Sequence, residues 1–181
     1  MSERVVAEGW LPPPFLKTHR AITACARELE ALADAAVAEV DAWHSSGIAD
    51  KPSARRTPKR CVIQVGPVAL SITWLPSAGG DIATGELLVV VWHGILGPRP
   101  DYQFERAGSR PPPLVTREVW QKVLHPGVVG ADSWRWLEPG QEAAHGQTGA
   151  ELAARCVEAL RDAFHLVTGD PRPLAPNTGV Q

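Results

Sequence analysis

Residues 86–93, with the sequence ELLVVVWH, constrain the fold more than any other stretch of the chain. Alternate side chains of an extended strand point to opposite faces, and here both sets are apolar. The two sets are Leu87, Val89 and Val91 on one face and Leu88, Val90 and Trp92 on the other. Such a strand is covered on both sides, so we expect it to lie centrally in a sheet. One layer of helices covers one face only, and a second layer or a partner chain must cover the other.

The residues before this strand predict a β-hairpin. Residues 68–75 alternate large apolar side chains with small or polar ones, which is typical of a strand with one apolar face. Gly66-Pro67 predicts a tight turn between this strand and a shorter one over residues 61–65. Residues 76–85 are glycine-rich but lack the Lys-Ser/Thr ending and following helix of a phosphate-binding loop, so we expect a hairpin loop.

Two long helices are predicted outside the strands. Residues 19–46 repeat apolar side chains at spacings of three and four, and Gly47 is typical of a helix end. The stripe is broad and rich in alanine, which favours packing on a sheet over a coiled-coil seam. A second helix begins at the capping box of residues 148–151, carries an apolar face as far as Val167, and ends at Gly169.

Four further segments have weaker patterns. Residues 48–60 contain five basic side chains and two prolines, and they predict a solvated linker. Residues 101–106 predict an edge strand, and residues 132–137 predict another strand with two tryptophans on one face. Residues 116–124 predict a short helix, with Thr116 as its cap.

The order of these elements favours an α+β fold, because helices and strands do not alternate as in a parallel sheet. We expect an antiparallel sheet of four to five strands packed against a long N-terminal helix and a long C-terminal helix. Residues 1–17 predict an extended, proline-rich arm, residues 18–169 a single α+β domain, and residues 170–181 a flexible, proline-rich tail.

Composition indicates where such a protein resides. No apolar run reaches the roughly 18 residues of a membrane span, and the N-terminus lacks a signal-peptide core. Cys25, Cys61 and Cys156 are odd in number and far apart, which is typical of buried thiols in a reducing compartment. The sequence therefore predicts a cytoplasmic protein. The net charge of −2 argues against nucleic acid as a partner.

Motifs that carry chemistry are missing from the sequence. The six histidines show no HExxH or zinc-ligand spacing, and no G-x-S-x-G elbow occurs. We therefore expect no cofactor and no metal, and the sequence favours a non-enzymatic protein. The one catalytic candidate is His93, at the end of the central strand, where a polar ring in a pocket can act as a ligand or a base. The alternative is an ordinary histidine that is hydrogen-bonded in the core or lies at a strand end.

Three functional hypotheses follow from these patterns. We favour a protein-interaction or assembly module, such as an adaptor, a chaperone-like protein or a complex subunit, that binds another protein or forms a homodimer. Tryptophan is common at the centres of interfaces. The predicted contact residues are Trp10, Phe15, Trp92, Trp134 and Trp136.

The second hypothesis is an α+β cup, either a binding protein or an enzyme, that encloses a small ligand with His93 and Trp74 lining the cavity. The third is a nucleic-acid accessory protein that binds through the basic linker. Its predicted contact residues are Arg55, Arg56, Lys59 and Arg60.

Overall fold

A computed structural model of the chain describes residues 14–47, 51–80, 82–96, 116–129 and 133–169. The first long helix, α1, spans His19–Ser45 and follows a short 3-10 helix, Pro14–Lys17. Thr18 caps α1, because its hydroxyl accepts a hydrogen bond from the backbone N–H of Ala21. The second long helix, α2, spans Gly149–Thr168, begins at the predicted capping box and ends at Gly169 in a left-handed conformation.

Within the described residues, six antiparallel strands form one sheet, and these strands lie between the two helices in the sequence. They are β1 (Ser53–Thr57), β2 (Arg60–Val65), β3 (Val68–Leu75), β4 (Glu86–His93), β5 (Arg117–Val129) and β6 (Ser133–Leu137). Each strand pairs with the next in the sequence, so the spatial order is the chain order. A second short 3-10 helix, Ala143–His145, precedes α2. The predicted α+β fold is confirmed, with one or two strands more than expected.

Two predictions about the weaker segments were wrong. Residues 116–124, predicted to be a short helix, are the first part of β5. Their apolar side chains fit a helical face, but Val119 and Trp120 also favour a strand, and pairing with the edge of β4 decides the outcome. The predicted linker over residues 48–60 contains β1, whose five side chains are all exposed and therefore carry no apolar alternation. The strand predicted over residues 101–106 lies outside the described residues.

The central position predicted for β4 is confirmed, since it pairs with β3 on one side and β5 on the other. β5 pairs with β4 through its first part and with β6 from His125 to Val129. The register shifts by one residue between Val91 and Trp92, which indicates a β-bulge opposite this point.

Both long helices lie on the same side of the sheet, which we call the helix face. Their buried residues form one cluster with alternate strand residues from β2 to β6. On β2, β3, β4 and the first part of β5 these strand residues are Cys61, Ile63, Val65, Val68, Leu70, Ile72, Trp74, Leu87, Val89, Val91 and Leu124. The helices run parallel to each other, because Glu39 pairs with Arg161 and Trp43 packs against Phe164 one turn further along.

Hydrophobic burial on the helix face supplies most of the driving force for this arrangement. No helix in the ranges described above is long and apolar enough to cross a membrane.

Candidate functional site

The side of the sheet opposite the helices is the candidate binding surface, and we call it the second face. Because successive side chains of a strand point to opposite faces, the residues of the second face alternate along each strand with those of the helix face. In register across β1 to β5, the central row consists of Arg55, Val62, Ser71, Val90 and Gln121. Ala69 and Val90 are buried on this face but do not belong to the core cluster that contains the helices. Neither α1 nor α2 therefore covers the second face.

Trp92 lies in the neighbouring row, on β4, between Ala69 of β3 and Glu118 of β5. Its indole Nε1 donates a hydrogen bond of 2.9 Å to the hydroxyl oxygen of Ser71, which projects from β3 on the same face. The Ser71 hydroxyl in turn lies 3.4 Å from the carbonyl oxygen of Val90. The indole thus spans β4 and β3, and its only polar atom already has a partner. Its half-buried ring can be covered by apolar surface without losing a hydrogen bond.

Gln64 organises one end of the second face. Its side-chain Nε2 lies within 2.8–3.0 Å of the carbonyl oxygens of Gly66, Val68 and Gly94. Its Oε1 accepts a 3.0 Å hydrogen bond from the backbone N–H of Leu96. One half-buried amide therefore ties the β2–β3 turn to the chain that leaves β4. Sequence reasoning missed this residue, although a glutamine inside the apolar run of β2 is a recognisable signal.

Charge is distributed unequally across the second face. Arg55 on β1 and Arg60 on β2 place two guanidinium groups on one side, and both residues are exposed. Glu86 on β4 and Glu118 on β5 place two carboxylates on the other side, and both are also exposed. Between them lie the half-buried apolar side chains of the face. These are Val62, Leu88, Trp92 and Val123.

Of the four predicted contact residues that the structure describes, one lies on this face. Trp134 and Trp136 are in the core, with Trp136 fully buried and its ring 6.1 Å from that of Trp74. They are structural residues, because their strand turns them toward the helices. Phe15 is half-buried against the core cluster beside α1, away from the second face, and Trp10 lies outside the described residues. Trp92 remains as the contact candidate.

The four basic residues do not form a single patch. They lie on the hairpin of β1 and β2, where alternation sends Arg55 and Arg60 to the second face but Arg56 to the helix face. Arg56 donates a hydrogen bond to the Asp34 carboxylate and another, 3.2 Å long, to the Ala33 carbonyl oxygen. The Asp34 contact raises the pKa of Arg56. This arginine fastens the hairpin to α1.

Lys59 lies in the turn of this hairpin, where it lines a cavity of about 350 Å³ between the hairpin and α1. Cys61 lies in the wall of the same cavity, and burial raises the pKa of its thiol, with Arg56 acting in the opposite direction. A protonated thiol beside a paired arginine is a poor nucleophile. The Cys61 thiol in this cavity is therefore not activated as a nucleophile.

His93 and Trp74 do not share a pocket. His93 is exposed at the end of β4, and Trp74 is buried between β3 and the β6 tryptophans. Two further cavities, of about 330 and 380 Å³, lie beside α2 and beside the start of α1, and neither residue lines them. Within the described residues, no group of three or more His, Cys, Asp or Glu side chains is placed to hold a metal ion.

Comparisons of the chain with protein-family models, with curated proteins and with solved structures give no match.

Proposed function

We propose that this protein is a non-enzymatic interaction or assembly module that binds a protein through the second face of its sheet. The observation that carries the proposal is the arrangement of Trp92, whose ring lies across two central strands with its N–H already bonded to Ser71. Aromatic residues held rigidly in this way lose little entropy on binding and are typical anchors of protein interfaces.

The composition of the face supports a protein partner over a nucleic acid. A polyanion would meet Glu86 and Glu118 as well as Arg55 and Arg60, and the chain carries a net charge of −2. An apolar centre with a rim of both charge signs is instead the usual composition of a protein interface.

We also propose that the protein functions in the cytoplasm. Cys25, Cys61 and Cys156 are all free and buried, which fits a reducing compartment, where thiols serve as small core residues.

Site-specific photo-crosslinking in cells that express the full chain tests the binding function. A photoreactive amino acid replaces Thr73, which lies on the second face between β2 and β4 and is half-buried. The control position is Leu166 on α2, which is 78% exposed on the opposite side of the molecule. We expect an intermolecular protein adduct from position 73, none from position 166, and loss of the adduct in the Trp92→Ala variant.

Three results would contradict the proposal. Equal adducts at the two positions would mean that the second face has no special affinity for protein. Crosslinks confined to the same chain would mean that the protein covers its own sheet. A nuclease-sensitive adduct would identify the third hypothesis, a nucleic-acid accessory protein, as correct.

A further inference from the structure

A cavity of about 350 Å³ separates α1 from the turn that joins β1 to β2. Ligand sites in proteins have volumes of about 300–1,000 Å³, so this cavity has room for a small organic molecule. Its walls are α1 between Leu29 and Asp34, residues 56–61 of the hairpin, and Ile72 of β3. The cavity lies on the helix face of the sheet and is therefore separate from the second face.

The buried residues in the walls of this cavity are apolar. Cys61 and Ile72 are paired neighbours on β2 and β3, and Ala33 lines the cavity from α1. Leu29, one turn before Ala33, is half-buried. Burial raises the pKa of the Cys61 thiol, so this group stays uncharged at neutral pH. The apolar part of a ligand therefore gains free energy when it leaves water for these walls.

The exposed residues around the cavity are mainly charged, and positive charge prevails. The end of the hairpin, residues 53–60, carries four basic side chains and no acidic one. α1 contributes Glu30 and Asp34 to the walls, and the Asp34 carboxylate already accepts a hydrogen bond from Arg56. Within the described chain, the Lys59 ammonium has no hydrogen bond or ion pair. An anionic group on a ligand is therefore favoured over a cationic one.

Two of the basic residues line the cavity from backbone that is held in place. The Lys59 carbonyl oxygen accepts a 2.8 Å hydrogen bond from the backbone N–H of Trp74, which fixes the turn to β3. Arg56 is fixed by its contacts with Asp34 and with the Ala33 carbonyl oxygen, and its guanidinium has more N–H donors than these contacts use. Because this backbone is ordered before a ligand arrives, binding costs little conformational entropy.

We propose that this cavity binds a small apolar molecule that carries one carboxylate group. At about 30 Å³ for each atom, as in liquid water, a volume of about 350 Å³ holds roughly 12 non-hydrogen atoms. The carboxylate contacts Lys59 and the remaining donors of Arg56, and the apolar part lies against the buried walls. Glu30 and Asp34 repel a second negative charge, which favours a carboxylate over a phosphate dianion. This site goes beyond the proposed function and does not rest on it.

Titration of the full, ¹⁵N-labelled chain with sodium octanoate, followed by amide NMR, tests the proposal. Octanoate has the expected size, and octanamide matches it in size and shape but carries no charge. We expect saturable shifts of the amide signals of residues 29–34 and 57–61 with octanoate. Octanamide should bind at least about tenfold more weakly, because it lacks the charge that Lys59 and Arg56 recognise.

The Lys59→Met variant removes the positive charge and nearly keeps the length of the side chain. We expect octanoate to bind to it about tenfold more weakly, and the affinity for octanamide to stay unchanged. The matched control is Lys17→Met, which makes the same exchange at an exposed residue outside the cavity, and we expect it to bind octanoate as the wild type does. Both lysines are exposed, so both variants should keep the fold, which the amide spectrum verifies.

Any one of three results overturns this assignment. The first is the absence of saturable shifts at millimolar octanoate. The second is equal affinity for octanoate and octanamide, which would mean that the cavity does not prefer an anion. The third is a Lys59→Met variant that binds octanoate as tightly as the wild type, which would mean that the carboxylate is held elsewhere.

Discussion

Replacing Gln64 tests whether one side chain organises the end of the second face. In the Gln64→Leu variant, the shape of the side chain is nearly kept, but three carbonyl oxygens lose a shared donor and the Leu96 N–H loses its acceptor. An unsatisfied buried group costs about 1–3 kcal/mol, and Gln64 is only half-buried. We therefore expect the free energy of unfolding to fall by about 1–2 kcal/mol, which lowers the melting temperature by roughly 2–8 °C.

The Gln64→Glu variant gives a sharper result, because a carboxylate oxygen then takes the place of Nε2 opposite the carbonyl oxygens of Gly66, Val68 and Gly94. Repulsion raises the pKa of the new carboxyl in the folded state above its unfolded value of about 4.3. The folded state then binds more protons, so stability relative to wild type falls as pH rises. We expect the full penalty at neutral pH, and its loss as the pH falls below the unfolded pKa.

Urea denaturation followed by tryptophan fluorescence measures both effects. The control is Gln121→Leu, since Gln121 is exposed on the same face, and we expect a change within about 0.5 kcal/mol. A Gln64→Leu variant as stable as wild type would refute the role given to this amide. So would a Gln64→Glu deficit that does not change between neutral and acidic pH.

Two further predictions concern the helices and the cysteines. Thr148→Ala should lower the free energy of unfolding by about 1 kcal/mol at neutral pH, because the hydroxyl that caps α2 is lost. Hydrogen bonds from the Thr148 backbone N–H and hydroxyl lower the pKa of Glu151. The stability that comes from these hydrogen bonds to Glu151 is present above the unfolded pKa of Glu151 and disappears as pH falls through the folded pKa. If urea titrations of Thr148→Ala show a deficit that is constant with pH, this account of the cap is wrong. Burial raises the pKa of Cys25 and of Cys156 to about 12 and also raises that of Cys61. Alkylation of the native protein at mildly alkaline pH should therefore be slow at all three thiols, and rapid labelling of the folded chain would be inconsistent with this burial.

The elements that could be predicted from the sequence are those whose signal is local. α2 carries its capping box and its apolar stripe within its own residues, and β3 carries its own alternation. β1 has neither, since its Ser-Ala-Arg-Arg-Thr sequence is exposed throughout and forms a strand only because β2 lies beside it. The first part of β5 fits either period, and the free edge of β4 selects the strand. Pairing with a distant neighbour was the missing information in both cases.

The candidate site could be predicted less completely, because alternation separates two faces without showing which of them the helices cover. Trp92 and Trp136 both lie on predicted strands, yet one is on the second face and the other is fully buried. The charged rim was not predictable either. Arg55 and Glu118 are more than sixty positions apart in the sequence, and they share a face only through the register of five strands.

The apolar second face and its polar groups support the same conclusion about function. A strand such as β4 buries one apolar set under α1 and α2, and of the other set Val90 is also buried within the chain. Leu88 and Trp92 are half-buried, and they gain free energy when a further surface covers them. A covering layer normally leaves some polar atoms of the covered surface without hydrogen-bond partners, and each such atom costs free energy. On this face the Trp92 indole and the Gln64 amide already have partners within the chain, so a covering surface pays little for desolvation. The remaining polar groups at the rim are charged, exposed and arranged with opposite signs, which is what sets the orientation of a partner rather than its affinity.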